Sequence, residues 1–146
     1  MLSNDSPTNS FTNVSVSTNM NIGLYGMGIA YADIDKDLDF DYYLTNIGRN
    51  VLIQNDGSQN FTDISTFAGV ENTYTEGSTT LFTSGWGTAF FDVNNDTWPD
   101  LFVSNGKVTA ADFIATGEND PNKLYINNGD LTFTDISNSA GINDFS

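Results

Sequence analysis

The sequence predicts an all-β chain of two four-stranded antiparallel units plus one orphan strand, and three observations carry that expectation. A long internal repeat runs in order along the chain. The segments within each copy are short and rich in β-branched and aromatic residues. Asn, Asp and Gly, which tolerate the backbone angles of tight turns, separate them. No stretch has a helical period of useful length, with Val108 to Ala115 the one exception.

The elements follow from the repeat. Gly26-Met-Gly-Ile-Ala-Tyr-Ala-Asp33 recurs as Gly85-Trp-Gly-Thr-Ala-Phe-Phe-Asp92, and Asp41-Tyr-Tyr-Leu-Thr-Asn46 as Asp100-Leu-Phe-Val-Ser-Asn105, both displaced by 59 residues. Asn50-Val-Leu-Ile-Gln-Asn-Asp-Gly57 recurs as Asn122-Lys-Leu-Tyr-Ile-Asn-Asn-Gly129, and Phe61-Thr-Asp-Ile-Ser65 as Phe133-Thr-Asp-Ile-Ser137, displaced by 72. The second copy therefore carries 13 additional residues between Asn105 and Asn122. Strand A is expected at 28–33 and 87–92, B at 41–46 and 100–105, C at 50–55 and 122–127, and D at 60–65 and 132–137. Asn55-Asp-Gly57 and Asn127-Asn-Gly129 supply the C–D turns. Phe11-Thr-Asn-Val-Ser15 matches strand D alone. The expected organisation is a polar segment at 1–21 holding the outer strand of a preceding or neighbouring unit, a first unit at 22–70, and a second at 71–146 with a B–C insertion at 106–121. Four antiparallel strands repeating at this period read as β-propeller-type blades. A propeller closes with about 4–8 blades, so completion is expected from oligomerisation or from further sequence of a parent protein.

Charge narrows the partners. Of 146 residues, 4 are basic and 19 acidic, a net charge of −15. That surface repels nucleic acid and anionic membrane, which both require basic patches. A hydrophobic fraction of 38% is sufficient for a core and too high for a disordered acidic tail. Without cysteine or histidine there is no disulfide, thiolate site, imidazole ligand or imidazole base. No run approaches the roughly 20 apolar residues of a membrane helix. Met1 to Asn21 lacks a signal-peptide pattern. The expected setting is extracellular, cell-surface or periplasmic, as a piece of a larger secreted protein.

The acidic residues cluster between strands A and B. The loops Asp33-Ile-Asp35-Lys-Asp37-Leu-Asp39-Phe-Asp41 and Asp92-Val-Asn94-Asn-Asp96-Thr-Trp98-Pro-Asp100 place side-chain oxygens at positions 1, 3, 5 and 9. Ca²⁺ takes about 6–8 hard oxygen ligands. Asp33, Asp35, Asp37, Asp41 and the Asp39 carbonyl are the expected ligands of one ion; Asp92, Asn94, Asp96, Asp100 and the Trp98 carbonyl are those of a second. Four clustered carboxylates also repel one another unless a cation intervenes. An EF-hand shares the opening spacing but needs a Glu at position 12 and flanking helices; here position 12 is Leu44 or Val103, and the flanks are strands. Mg²⁺ retains its waters and suits such a cage less. The competing reading, a solvated turn, is weakened by the recurrence of the loop at one place in the repeat. With four carboxylates against three and an amide, the first loop is expected to bind more tightly.

Taken together, Gly-x-Gly-x-Ala, the Asp loop, Asn-x-Leu-Tyr-x-Asn-Asn-Gly, Phe-Thr-Asp-Ile-Ser and Ala-Gly-Ile resemble the FG-GAP/VCBS repeat family, the integrin-α-like propeller blades. The similarity is greatest to the bacterial repeats associated with ASPIC/UnbV domains. It covers about 22–146 and, weakly, 8–17. The resemblance implies calcium in the A–B loop at the positions named. The chain departs from the family at loop position 6, where Leu38 and Thr97 replace the usual Gly, and Pro99 at position 8 is a further oddity.

In such a blade the A–B and C–D turns share one end, and the B–C and D–A connections the other. The long connections 66–84 and 106–121 thus lie opposite the acidic loops. With Phe67, Tyr74, Phe82, Phe113 and Ile114 they are expected either to lid the core or to form a recognition surface for a protein or glycan. Trp86 is expected in the core and Trp98 at the surface. No Ser-, Cys- or His-centred constellation supports nucleophilic catalysis, and the carboxylates a glycosidase would need are committed to the ion. The expected function is a non-catalytic calcium-binding interaction or scaffolding module. The alternatives are an accessory fragment of a polysaccharide-acting enzyme and a purely structural self-assembling ring.

Overall fold

The structure is a computed structural model that describes residues 1–8, 10–108 and 120–142. It is all-β. Strands β3 (Gly26–Ala32), β4 (Asp41–Asn46), β5 (Val51–Asn55) and β6 (Phe61–Asp63) form one antiparallel meander. Strands β9 (Gly85–Phe91), β10 (Asp100–Asn105), β11 (Lys123–Asn127) and β12 (Phe133–Asp135) form the second, paired in the same order. The described residues also hold two hairpins, β1 (Leu2–Asn4) with β2 (Phe11–Asn13), and β7 (Thr73–Glu76) with β8 (Thr79–Phe82). A single helical turn, α1 (Ser65–Ala68), follows β6.

The repeated residues carry repeated hydrogen bonds. In Phe-Thr-Asp-Ile-Ser the aspartate accepts from the serine backbone and hydroxyl, as Asp63 does from Ser65 and Asp135 from Ser137. That serine oxygen then accepts the backbone N–H of strand C, Leu52 at 2.7 Å and Leu124 at 3.0 Å. The chain is turned off the sheet edge at the same place in both copies. A cation opposite each aspartate closes the arrangement: Arg49 with Asp63, and Lys123 with Asp135.

Alternation sorts the side chains onto two layers. Tyr43 and Leu52 from the first sheet meet Leu101, Val103, Tyr125 and Phe133 from the second, with Ile34, Ala68 and Val70, in a core between the sheets. Val51, Ile53 and Phe61 point to the other side of the first sheet, where Met20, Ile22 and Leu24 cover them. The buried Tyr43 hydroxyl donates to the Val70 carbonyl at 2.7 Å and accepts from Asn50 Nδ2 at 3.1 Å. Burial drives its phenol well above the usual range.

Three expectations change. The orphan segment around Phe11 pairs with β1, so its strand is part of a local hairpin, and Phe11 is exposed where Phe61 and Phe133 are buried. Connection 66–84, to which the sequence reading assigns no strand, holds most of α1 and the β7–β8 hairpin. Its alternation of Thr, Tyr and Leu around Gly77 is a legible hairpin signal. Trp86 is 43% exposed rather than in the core. Residues 109–119, which include Phe113, Ile114 and most of the one helical candidate, lie outside the described residues. Among the described residues no helix is long and apolar enough to cross a membrane.

Candidate metal loops

Both acidic loops leave their A strand at the same end of the molecule and share one backbone path. Positions 4 and 6 are left-handed in each: Lys36 at φ 62° and Leu38 at 78°, Asn95 at 63° and Thr97 at 76°. Position 6 is thus left-handed in both loops without a glycine, and Thr97, being β-branched, is the more strained.

Position 1 caps the loop. Asp33 accepts from the backbone N–H of Asp37 and Leu38, both at 3.1 Å; Asp92 accepts from Asp96 at 3.1 Å and Thr97 at 2.8 Å. Position 9 lies beneath. Asp41 and Asp100 are fully buried. Asp41 accepts from the backbone N–H of Ile34 at 3.0 Å and of Asn55 at 2.9 Å. Asp100 accepts in the same way from Val93 and Asn127, both at 2.9 Å. These carboxylates clamp the loop to the end of strand C. Burial pushes the Asp41 carboxyl up to about 6; the two N–H groups oppose the rise, and Asp35 and Asp37 add to it. The Asp39 backbone N–H donates to Asp37 at 2.9 Å. The Asp39 side chain turns to the C–D turn, where a Cβ on Gly57 would meet Asp39 Oδ2 at 2.4 Å.

In the first loop Asp33, Asp35 and Asp37 bring one carboxylate oxygen each within 4.8 Å of the others. Asp35 Oδ2 accepts from Gln54 Nε2 at 2.8 Å, while its Oδ1 is buried with no hydrogen-bond partner. Gln54 is a positioning residue that the loop spacing alone does not reveal; it lies on β5, one residue before the C–D turn. An acceptor withdrawn from water without a donor costs about 1–3 kcal/mol, and a bound cation removes that cost. The donor set is all hard oxygen, which suits Ca²⁺.

The second loop is more exposed and more self-satisfied. Asn94 Nδ2 donates to Asp96 at 2.7 Å, and the other Asp96 oxygen accepts from the Trp98 backbone at 2.8 Å. These bonds, with the nearby Lys36 charge, hold the Asp96 carboxyl below its usual range. Lys36 belongs to the first loop yet donates to Thr97 Oγ1 at 2.8 Å and lies 3.8 Å from the centre of the Trp98 ring. Trp98, expected at the surface, is half-buried against Gly129.

Away from these loops, a cavity of about 420 Å³ separates β7 from the second sheet, lined by Thr73, Tyr74, Thr75, Pro121 and the Lys123–Asp135 pair. Both segments expected to form a recognition surface contribute to it.

No family model matches the chain, and no curated protein matches it.

Proposed function

We propose that this chain is a non-catalytic, calcium-binding module of propeller-type blades, related to the FG-GAP/VCBS repeats, whose ion stiffens the blade while the molecule acts in extracellular interaction or scaffolding. One observation carries the calcium reading: the buried, unpartnered Asp35 Oδ1 within the Asp33–Asp35–Asp37 group. The ion is held by Asp33, Asp35 and Asp37 and relieves the smaller part of the rise in the Asp41 carboxyl, the repulsion from Asp35 and Asp37 that adds to burial. The second loop binds more weakly, because Asn94 and Lys36 already compensate Asp96. The cavity beside β7, with the 66–84 hairpin, is the place for a protein or glycan ligand.

Isothermal titration of calcium tests the reading. Asp33→Ala is expected to abolish the tighter phase and Asp92→Ala the weaker. Titrations of both variants indistinguishable from the unaltered chain would overturn it.

A further inference from the structure

The two sheets meet through opposite faces; the outer face of the first is covered over β5 and β6 by Met20, Ile22 and Leu24 but exposed at β3, and that of the second is exposed at β9. Where β3 and β9 lie back to back, a Cβ on Gly28 would sit 2.4 Å from the Trp86 carbonyl oxygen, and Thr45 Oγ1 donates to that same oxygen at 2.8 Å. Beside them, Gly85 packs on the Asn50 side chain, at 2.7 Å from a Cβ placed there. Asn127 Nδ2 reaches across to the Ile34 carbonyl at 3.0 Å.

The repeat reproduces both halves of this joint on the open faces. Gly87 corresponds to Gly28 and has room, its nearest neighbour being Ser104 Cβ at 3.9 Å. Ser104 keeps the hydroxyl of Thr45, and Asn122 the amide of Asn50. On the first unit Gly26 stands for Gly85 and is likewise open. The burial differences follow the same rule. Ile34 is 0% exposed and its counterpart Val93 is 41%; Ala30 is buried and Ala89 exposed. In the other direction, Phe90 packs into the core while its counterpart Tyr31 is 62% exposed, with the exposed Ile29 beside it. Positions that are buried where a neighbour exists are exposed where it does not.

We infer that the open β9 face of one chain docks on the open β3 face of a second copy, repeating the internal joint head to tail. Such a contact is heterologous, so each chain presents two different surfaces, and the assembly closes into a ring if the rotation permits. With about 4–8 units in a closed propeller, two to four copies of this two-unit chain suffice. The inference rests on the blade reading but not on the cation. A chain that binds calcium and stays monomeric overturns this inference alone.

The test uses light scattering of the full chain at 0.15 M salt across a concentration series. Ile29→Lys blocks the first face and Ala89→Lys the second; both sites are exposed, and both changes reduce the net negative charge, so general repulsion cannot account for lost assembly. Tyr31→Lys and Val93→Lys serve as second variants on each face, with circular dichroism to verify the fold. The unaltered chain is expected at a multiple of 15.9 kDa. Each variant alone is expected at one chain. An equimolar mixture of Ile29→Lys and Ala89→Lys retains one good joint and is expected to stop at two chains. A monomeric unaltered chain at every concentration, a variant that dimerises alone, or a mixture that remains monomeric would overturn the head-to-tail joint.

Discussion

Asn127 and Asn55 occupy one repeat position, yet their truncation should differ sharply in cost. Asn127 is buried, and its amide donates to the Ile34 carbonyl at 3.0 Å and the Pro99 carbonyl at 3.2 Å. Its Oδ1 accepts the Gly129 N–H at 2.9 Å, which sets the C–D turn. Asn55 keeps the turn bond, to Gly57 N–H at 3.2 Å, but is half-exposed. Asn127→Ala strands the buried Ile34 carbonyl and the part-buried Pro99 carbonyl at the joint. At about 1–3 kcal/mol for each buried group left unpaired, with each carbonyl keeping a second lone pair for compensation, the expected loss is about 2–4 kcal/mol. Asn55→Ala removes one weak turn bond beside water and should cost about 1 kcal/mol or less. Urea unfolding at pH 7, with the denaturant slope checked for constancy, measures both. Equal midpoints for the two variants would show that the Asn127–Ile34 bond across the joint adds nothing and refute the reasoning.

Further outcomes follow from the same geometry. Leu38→Gly removes a left-handed non-glycine residue whose side chain is 92% exposed and packs on nothing. The relieved strain of about 1–2 kcal/mol exceeds the added chain entropy of about 0.5–1 kcal/mol, so the melting temperature should rise, and a fall would contradict the loop geometry. Burial alone would raise the Asp63 carboxyl, but Arg49 and Ser65 outweigh it, and Arg49 likewise lowers Glu71. Lowered folded values mean stability that is fully present above the ordinary carboxylate range and is lost as pH falls from that range through the lowered values. Unfolding midpoints between pH 7 and pH 3 should fall less steeply in Arg49→Gln, and parallel curves would remove the ion pair from the account. EDTA should lower the melting temperature of calcium-loaded chain, and added calcium should raise it with the logarithm of concentration; differential scanning fluorimetry reads both.

Much of this molecule is legible in its residues because much of its chemistry is local. The strand order follows from the repeat, and Phe-Thr-Asp-Ile-Ser states its own hydrogen bonds, since aspartate and serine two residues apart close a turn wherever they stand. The spacing of oxygens in each loop is readable for the same reason, whereas the backbone caps that Asp33 and Asp92 form come from the structure. Less legible were the residues whose role depends on a neighbour distant in sequence. Gln54 aims Asp35 from the adjacent strand. Lys36 leaves its own loop for Thr97 and Trp98 in the other. The N-terminal strand resembles element D in composition, but in the structure β2 pairs with β1, because hydrogen bonding is awarded by proximity and not by resemblance.

The sequence by itself determined the fold class, the two units and the spacing of oxygens in each loop, all of which depend on side chains a few residues apart. Only the tertiary structure decided which copy of each position is buried. Ile34 and Val93 are interchangeable in the repeat, and one is sealed while the other faces water. Tertiary structure also assigned both oxygens of Asp41 and Asp100 to backbone N–H groups beneath the loops. The reason is common to both: burial and hydrogen-bond partnership belong to a residue's neighbours in space, and a repeat specifies identical residues while leaving their neighbours to the packing of one unit against the next.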